Sequence, residues 1–502
     1  MDAARGRQAG EALADYCGQS PVSAPPGDPA AVEAGLLELF HRAAGSVPAY
    51  QDFLHAHGVD PAQVRDIADF RELPLMTREN YHLRYPLPQR CRDGRLESCD
   101  MIAVSSGSTG RPAYWPRSLT DELAVAARFE QIFHDSFEAD RQPTLAVVCF
   151  PLGTWVGGLY TASCCRHLAL KGYPVTVIAP GNDKEEILRV TPELAPGFAQ
   201  TVLLGYPPFL KDVIDTGISR GVNWASMGVR LVLAGEVFSE DWRDLVGSRA
   251  GLRRPAHDSA ALYGTADAGV LGNETPLSIT IRRFLARAPQ AAHALFGQSR
   301  LPTLVQYEPL SRFFEAIDGT LLFTGDNGVP LIRYHIADEG GVLSYEEMLE
   351  FCTTYGFDPL ADHRGKRGAP PLPFAYVFGR SHFTVSFFGA NIYPENVAAG
   401  LEQSAVSGWV TGKFVLEVAE DTDRNPHLAI AAELAPGEYS STDRQLLAAE
   451  SIRAQLSRLN SEFAHYVPEA CQTPRVTLLP AGDPDYFPRG VKHRYTRGPA
   501  KP

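Results

Sequence analysis

Residues 144–150 read T-L-A-V-V-C-F, a continuous apolar run that ends in P-L-G-T-W-V-G-G. A short uncharged run of this kind predicts a strand covered on both faces, as in parallel sheets. The signal returns at 174–178, at 201–204 (T-V-L-L) and at 229–234 (V-R-L-V-L-A), with helical spacing at 119–137, 159–170, 185–190 and 208–215. Strand and helix in alternation constrain this part of the chain to a doubly wound α/β sheet. Ligands of such sheets sit beyond the carboxyl ends of the strands, and that is where candidate chemistry is sought.

A polar loop stands ahead of this region. Residues 104–116 read V-S-S-G-S-T-G-R-P-A-Y-W-P, with an apolar run entering and Tyr114 and Trp115 leaving, so a loop between two strands is expected. Gly107 and Gly110 let the backbone approach a ligand closely. Successive N–H groups can then form an anion nest, to which Ser105, Ser106, Ser108 and Thr109 add neutral donors. Arg111 adds a planar fork that matches phosphate oxygens. The G-x-x-x-x-G-K-[ST] loop is a different device, since it must open a helix and Pro112 stops one here. A Ser/Gly-rich turn alone is commonly a surface turn; its company along the chain gives it meaning.

That company follows at the predicted strand ends. Gly235 and Glu236 close one strand, and Tyr263-Gly264-Thr265-Ala266-Asp267 closes the next. Residues 320–338 (T-L-L-F-T-G-D-N-G-V-P-L-I-R-Y-H-I-A-D) predict a strand pair turning at Asp326-Asn327-Gly328, with Arg333 and Asp338 at its far end. Taken singly, an Asp after a strand is usually a cap and a nearby Arg its ion-pair partner. His335 lies in the same stretch, and a structural role is the expectation for it.

Composition excludes several alternatives. The chain has 502 residues, enough for several domains, and 44% of them are hydrophobic. Its formal net charge of -13 and lack of a basic face argue against a nucleic-acid partner or an anionic membrane. The eight cysteines form no C-x-x-C pair, so reduced thiols in a cytoplasmic protein are expected, without Cys/His metal spacing. Neither a signal peptide nor a membrane-spanning run is read. Residues 1–30, rich in Ala, Gly and Pro, are expected to be loosely held.

In order, S-S-G-S-T-G-R-P, A-G-E, Y-G-T-A-D, I-R-Y-H-I-A-D, then G-R-S and G-A-N-I-Y-P-E-N-V, resemble the motifs of the adenylate-forming superfamily of acyl-CoA ligases. Within it the sequence is most similar to the phenylacetate-CoA ligase family, also through L-P-L-M-T-R-E-N-Y before the loop. The resemblance implies that residues 105–111 hold ATP phosphates, with Arg111 where the family usually has lysine. It implies that Gly235, Glu236, Tyr263 and Gly264 line the adenine, that Asp338 grips the ribose with Arg380 nearby, and that Asp267 helps bind Mg2+. Lys492 and Arg333 are the implied catalytic residues, Lys492 contacting the carboxylate and α-phosphate. Leu152, Gly153, Thr154, Trp155 and Gly158 are implied to line the acid pocket. The implied activity is ATP-dependent adenylation of a small, aromatic carboxylic acid, followed by transfer to CoA. A non-CoA acceptor (an amine, a carrier protein or nitrite) is the alternative. It is raised by His382 and Phe383 where the family has acidic residues, and by Phe388 where it has arginine.

The expected architecture is therefore α/β. A large N-terminal doubly wound domain with an additional hairpin/barrel-like part spans residues 1–378, and a small α+β domain that rotates spans 379–502. Residues 358–373 read as a loop or linker, and 341–378 as an insertion whose helix near 345–355 either covers the acyl site or packs on the surface. A homodimer is the assembly expected.

Overall fold

The computed structural model describes residues 3–19, 28–105, 113–153, 156–235, 237–298, 301–364, 367–380, 385–387, 390–420, 426–460, 463–464, 467, 469–488 and 495–496. Two strands, β1 (Met101–Ser105) and β2 (Ala113–Arg117), form an antiparallel pair in register from Met101 opposite Arg117 to Ser105 opposite Ala113. The polar loop thus joins two paired strands, as expected, although residues 106–112 lie outside those described.

Next come β3 (Thr144–Val148), β4 (Val175–Ile178), β5 (Gln200–Gly205), β6 (Val229–Ala234) and β7 (Ser259–Thr265). They lie side by side in the order β7-β6-β5-β3-β4, all parallel. Alternate residues of β3 face opposite cores. Ala146 and Val148 pack with the helices Leu119–Gln131 and Val156–Leu170, while Leu145 and Val147 pack with the helices Lys184–Leu194, Pro207–Ser219 and Glu240–Ala250. Both faces are covered, which is why the strands read as unbroken apolar runs.

The strands that complete this sheet are β8 (Gly269–Asn273), β9 (Thr303–Gln306), β10 (Arg312–Ile317), β11 (Thr320–Gly325), β12 (Leu331–Leu343) and β13 (Phe374–Arg380). The hairpin expected around Asp326 is present as β11 and β12. The part anticipated as barrel-like is, among the described residues, a continuation of the same sheet, giving eleven strands with β10-β11-β12-β13-β9-β8 added at the β7 edge. These added pairings are antiparallel; β8–β9, β9–β13 and β12–β13 link segments far apart in sequence, so strand patterning alone does not reveal them.

Two other expectations change. Residues 3–18 form a helix that packs beside Leu119–Gln131 with Tyr16 buried, because Leu13 and Tyr16 find an apolar face there. The stretch at 358–373 is a loop, but a fastened one: Gln306 donates to the carbonyls of Pro370 and Leu372, and Arg367 forms a two-pronged ion pair with Asp140. The helix Tyr345–Thr354 buries Met348 and Cys352 in a local core with Leu277, Ile281 and Phe374, which is the surface-packing alternative.

After β13 the chain builds a separate core from residues between Phe387 and Leu478. It joins strands Val410–Glu420, Pro426–Leu434 and Arg475–Leu479 to helices Pro394–Leu401 and Thr442–Leu459. β13 itself remains in the large sheet through Arg380, two residues past the expected division at 378. Among the described residues, no helix is long and apolar enough to cross a membrane.

Candidate functional site

Among the parallel strands the order of the chain reverses at β3 and β5: β4 lies outside β3, and β5 returns to its other side. Loops leaving the carboxyl ends of two such strands diverge and open a crevice. Here the β3 loop carries Phe150, Leu152 and Gly153, and Tyr206 directly follows β5. The rings of Phe150 and Tyr206 meet edge to face at 5.1 Å. Gly235, just past β6, has φ +81°, and a Cβ on it would stand 2.6 Å from the Tyr206 ring. Only glycine fits there, for backbone and contact reasons together. Leu152 is partly exposed at 39%, and Gly153 is exposed with φ +88°.

Gly158 plays another part. It is buried in the first turn of the helix Val156–Leu170, where a Cβ would collide with the carbonyls of Phe150 and Pro151. It lets the helix begin directly against the strand end, so its place is explained by packing. Thr154, Trp155 and Glu236 lie outside the described residues.

The second half of the site is a pair of crossed hydrogen bonds. Tyr263, near the end of β7, donates through its hydroxyl to Asp338 Oδ2 at 2.7 Å, and Tyr334 donates to Asp267 Oδ2 at 2.6 Å. Tyr263 and Asp267 are four apart on the β7–β8 segment; Tyr334 and Asp338 are four apart on β12, and the bonds run in reverse order. Both carboxylates are thus held by phenols that the same two segments supply. The Tyr263 ring is buried and lies nearly parallel to that of Phe314, at 6.3 Å and 29°. Gly264 sits at a register shift where a Cβ would stand 2.5 Å from the carbonyl oxygen of Gly269.

A bulge aims Asp338. Register between β11 and β12 passes from Leu322 opposite His335 to Thr320 opposite Glu339, so β12 carries two extra residues. Ala337, within that excess, has φ +63°. Bulges commonly redirect a side chain beside a functional site. On its other edge Asp338 pairs with Arg380 of β13, whose side chain lies outside the description. His335 Nε2 is 2.9 Å from Thr320 Oγ1, consistent with the structural role expected for it.

Arg333 does not join this group. Its φ is +46°, and its buried guanidinium forms a two-pronged ion pair with Glu315 at 3.0–3.1 Å while donating to the Leu73 carbonyl at 2.6 Å. In this structure its guanidinium fastens the N-terminal segment to β10. Lys492, the other expected catalytic residue, lies outside the described residues, as do 106–111 and the Ser105 side chain.

The root of the polar hairpin is nevertheless fixed to the site. Arg117, the last residue of β2, is buried and donates to the Ala266 carbonyl at 2.5 Å, one residue before Asp267. It also meets Asp121 Oδ2 at 3.3 Å, and Arg312 meets the other oxygen of Asp121 at the same distance. One carboxylate thus stands between two guanidiniums, although burial pushes the Asp121 carboxyl up. Trp115 of β2 stacks on His82 at 4.0 Å. Burial, with Arg90 and Arg78 nearby, lowers that histidine to about 3, so it is neutral at physiological pH.

Sequence reading missed Tyr206, Tyr334 and Arg117. Tyr206 was marked by its place immediately after a buried strand, and Tyr334 sits inside a quoted motif. Nothing local distinguished Arg117 from any arginine closing an exposed strand.

Among proteins of known function, a phenylacetate-coenzyme A ligase from Thermus thermophilus is 23% identical over 448 residues, covering 87% of this chain and 88% of that protein. A phenylacetate-coenzyme A ligase from Aromatoleum evansii is 22% identical over 223 residues, covering 44% of this chain and 47% of its own. The solved structure of 2-hydroxyisobutyryl-CoA ligase in the postadenylation state with R3-HIB-AMP superposes with a TM-score of 0.64 at 14% identity, over 96% of this chain and 94% of that one. The same ligase in the thioesterification state with 2-HIB-AMP and CoA gives 0.53 at 15% identity, over 95% and 94%. No protein-family model matches the chain. The chain is a relative of the phenylacetate-CoA ligases and has the fold of adenylate-forming acyl-CoA ligases.

Proposed function

We propose that this protein is an AMP-forming acid ligase that joins a small carboxylic acid to the α-phosphate of ATP, releases pyrophosphate, and passes the acyl group to CoA. The observation that carries the reading is the crossed pair Tyr263–Asp338 and Tyr334–Asp267, built at the strand ends beside the root of the polar hairpin.

In this reading Asp338 accepts from the ribose hydroxyls, with Tyr263 holding its carboxylate in place. The hairpin loop, from Ser105 to Arg111, cradles the β- and γ-phosphates through main-chain N–H groups, hydroxyls and one guanidinium. Asp267 suits Mg2+, which is typically held by one or two carboxylates together with substrate phosphates. The described residues offer no cluster of three or more His, Cys, Asp or Glu for a metal, and Asp267 lies beside the phosphate hairpin. Mg2+ would neutralise phosphate charge there.

The acid enters the crevice at β3 and β5, between Leu152, Gly153 and the Tyr206 ring, against which Gly235 packs. A mostly apolar wall with an aromatic ring suits an aromatic acid. Its carboxylate attacks the α-phosphorus, the bond to the bridging oxygen of pyrophosphate breaks, and negative charge builds on the phosphoryl oxygens. Two anions must be brought together, so positioning and positive charge are the protein's main contributions. Lys492 supplies that charge at the carboxylate and α-phosphate. The CoA thiolate then attacks the acyl carbonyl and AMP leaves.

Acid-dependent exchange of labelled pyrophosphate into ATP, over a panel of aromatic and small aliphatic acids, tests the first step. Product analysis with and without CoA tests the second. Exchange should require an acid and vanish in Lys492→Ala while ATP still binds. Bound ATP with no exchange for any acid would sink the reading; acyl-AMP that CoA never consumes would remove the thioester step alone.

A further inference from the structure

Three charged side chains that the proposed chemistry leaves unused lie together at the root of the polar hairpin. Arg117, Asp121 and Arg312 come from β2, from the helix Leu119–Gln131 and from β10, and their side chains are 2%, 0% and 4% exposed. Each guanidinium meets one oxygen of Asp121, at 3.3 Å in both cases. Beyond that carboxylate the two guanidiniums reach the same short stretch of main chain. Arg117 donates to the Ala266 carbonyl at 2.5 Å, and Arg312 lies 3.5 Å from the Ala268 carbonyl, a looser contact. Between those two carbonyls stands Asp267.

We propose that Arg117, backed by Asp121 and Arg312, is a positioning residue that sets Asp267 at a fixed place relative to the polar hairpin. The proposal rests on the reading of Asp267 as the carboxylate on the Mg2+ side of ATP, and adds to it the side chains that aim this aspartate.

The turn from β7 to β8 is shaped from within. Thr265 pairs with Gly269, Thr265 Oγ1 accepts from Ala268 N at 3.2 Å, and Gly269 takes φ +73°. Packing of the small side chains Ala266 and Ala268 seats this turn, but methyl groups give it little direction. Direction comes from polar contacts made by other strands. Tyr334 of β12 donates to the Asp267 carboxylate at 2.6 Å, and Arg117 of β2 holds the main chain one residue earlier.

The hairpin end of the linkage is fixed without the Arg117 guanidinium. Buried Trp115 stacks on His82, Asp100 N donates to the Arg117 carbonyl at 2.8 Å, and a Cβ on Gly328 would stand 2.3 Å from the Pro116 carbonyl oxygen. Removing the guanidinium therefore loosens the turn and leaves the hairpin root in place. Stability alone is a poor reason for such a cluster, because buried ion pairs gain little over apolar packing of the same volume. Here Nε of both arginines also lacks an acceptor among the described residues.

The test is the affinity of the full chain for ATP, measured by isothermal titration calorimetry without any acid, once with Mg2+ and once with EDTA. Asp267→Asn sets the scale and should narrow the gap between the two dissociation constants. Arg117→Met should narrow it by about tenfold, the usual size of losing an outer partner of a metal ligand, while the constant in EDTA barely moves. In the Asp267→Asn background the same substitution should add nothing, since a residue that acts through Asp267 has no effect once that carboxylate is gone. Arg117→Lys keeps the charge and the stem and serves if the methionine variant does not fold. Its point-like ammonium cannot span Asp121 and the Ala266 carbonyl as a two-pronged guanidinium does, so the gap should narrow again. An unchanged gap in the Arg117 variants, or a full further loss in the Asp267→Asn background, overturns the proposal. If Asp267→Asn itself leaves the gap unchanged, the Mg2+-side reading of Asp267 falls and the proposal with it. These constants are read without acid or CoA, so a protein that binds ATP but adenylates none of the acids offered leaves the result standing.

Discussion

The hydroxyl of Tyr263 donates to Asp338 Oδ2 at 2.7 Å, joining residues 75 apart in sequence, and the bulge in β12 is what brings the carboxylate within reach. If Asp338 grips the ribose as proposed, it loses affinity when its carboxylate can turn away. Tyr263→Phe removes the donor without changing the ring, and a hydrogen bond to a charged group contributes about 1.5–3 kcal/mol. The expected outcome is a KM for ATP raised roughly tenfold or more, with kcat little changed. ATP titrations of pyrophosphate exchange measure it, and an unaltered KM would show that Asp338 needs no such support.

Gly235 is placed by the Tyr206 ring, 2.6 Å from where a Cβ would stand, and by its φ of +81°. Gly235→Ala must pay about 1–2 kcal/mol for the left-handed backbone and displace the ring as well. A lower urea midpoint and a weaker acid KM are expected together. Tyr206→Ala in the same chain should recover the acid KM in part but leave the backbone cost, which separates the two effects.

The parallel strands were legible because burial on both faces writes an unbroken apolar run: β6 begins and ends where V-R-L-V-L-A does. Tyr263, Asp267 and Asp338, which the structure brings together, could be singled out because they lie in contiguous motifs. The ion pair of Arg333 was not legible because its direction depends on φ +46° at that residue and on a bulge four residues later, neither of which its neighbours announce. The antiparallel extension of the sheet was misread for a related reason, since β9 pairs with β13 across three intervening strands and a helix. Tyr334 was not singled out because its partner, Asp267, lies 67 positions away.

Arg333 yields a prediction opposite to the one its motif suggests. Its guanidinium and the Glu315 carboxylate are both buried, so Arg333→Ala strands a charge, a loss that typically costs about 3–5 kcal/mol. Urea unfolding should show that loss, while kcat per folded molecule stays near the parent value. Replacing both partners with apolar residues, Arg333→Met with Glu315→Leu, should recover much of the stability. A large fall in kcat with unchanged stability would return Arg333 to the catalytic group.

The junction between the large sheet's helices and the C-terminal core carries a pH dependence of unusual sign. Ser239 caps the helix Glu240–Ala250, accepting from Trp242 N at 3.0 Å, and donates its own hydrogen to the Glu402 carboxylate. Lys211 and Arg249 donate beside it to the carbonyls of Val410 and Ser407, at 3.0 and 3.2 Å. Burial, reinforced by Asp241, lifts the Glu402 carboxyl from 4.5 to about 7, although Ser239, Arg282 and Lys211 pull it down. Below pH 4.5 both the folded and unfolded chains hold this proton, and nothing is lost. Between 4.5 and 7 the unfolded chain releases it first, so stability from this group falls as pH rises, and above 7 the loss is complete. Glu402→Gln keeps an acceptor for Ser239 and cannot ionise. The urea midpoint of the variant minus that of the parent should therefore climb across this window and level off above it. A difference that stays flat from about pH 4 to 8, or falls, would show that Glu402 ionises as readily in the folded protein as in the unfolded chain.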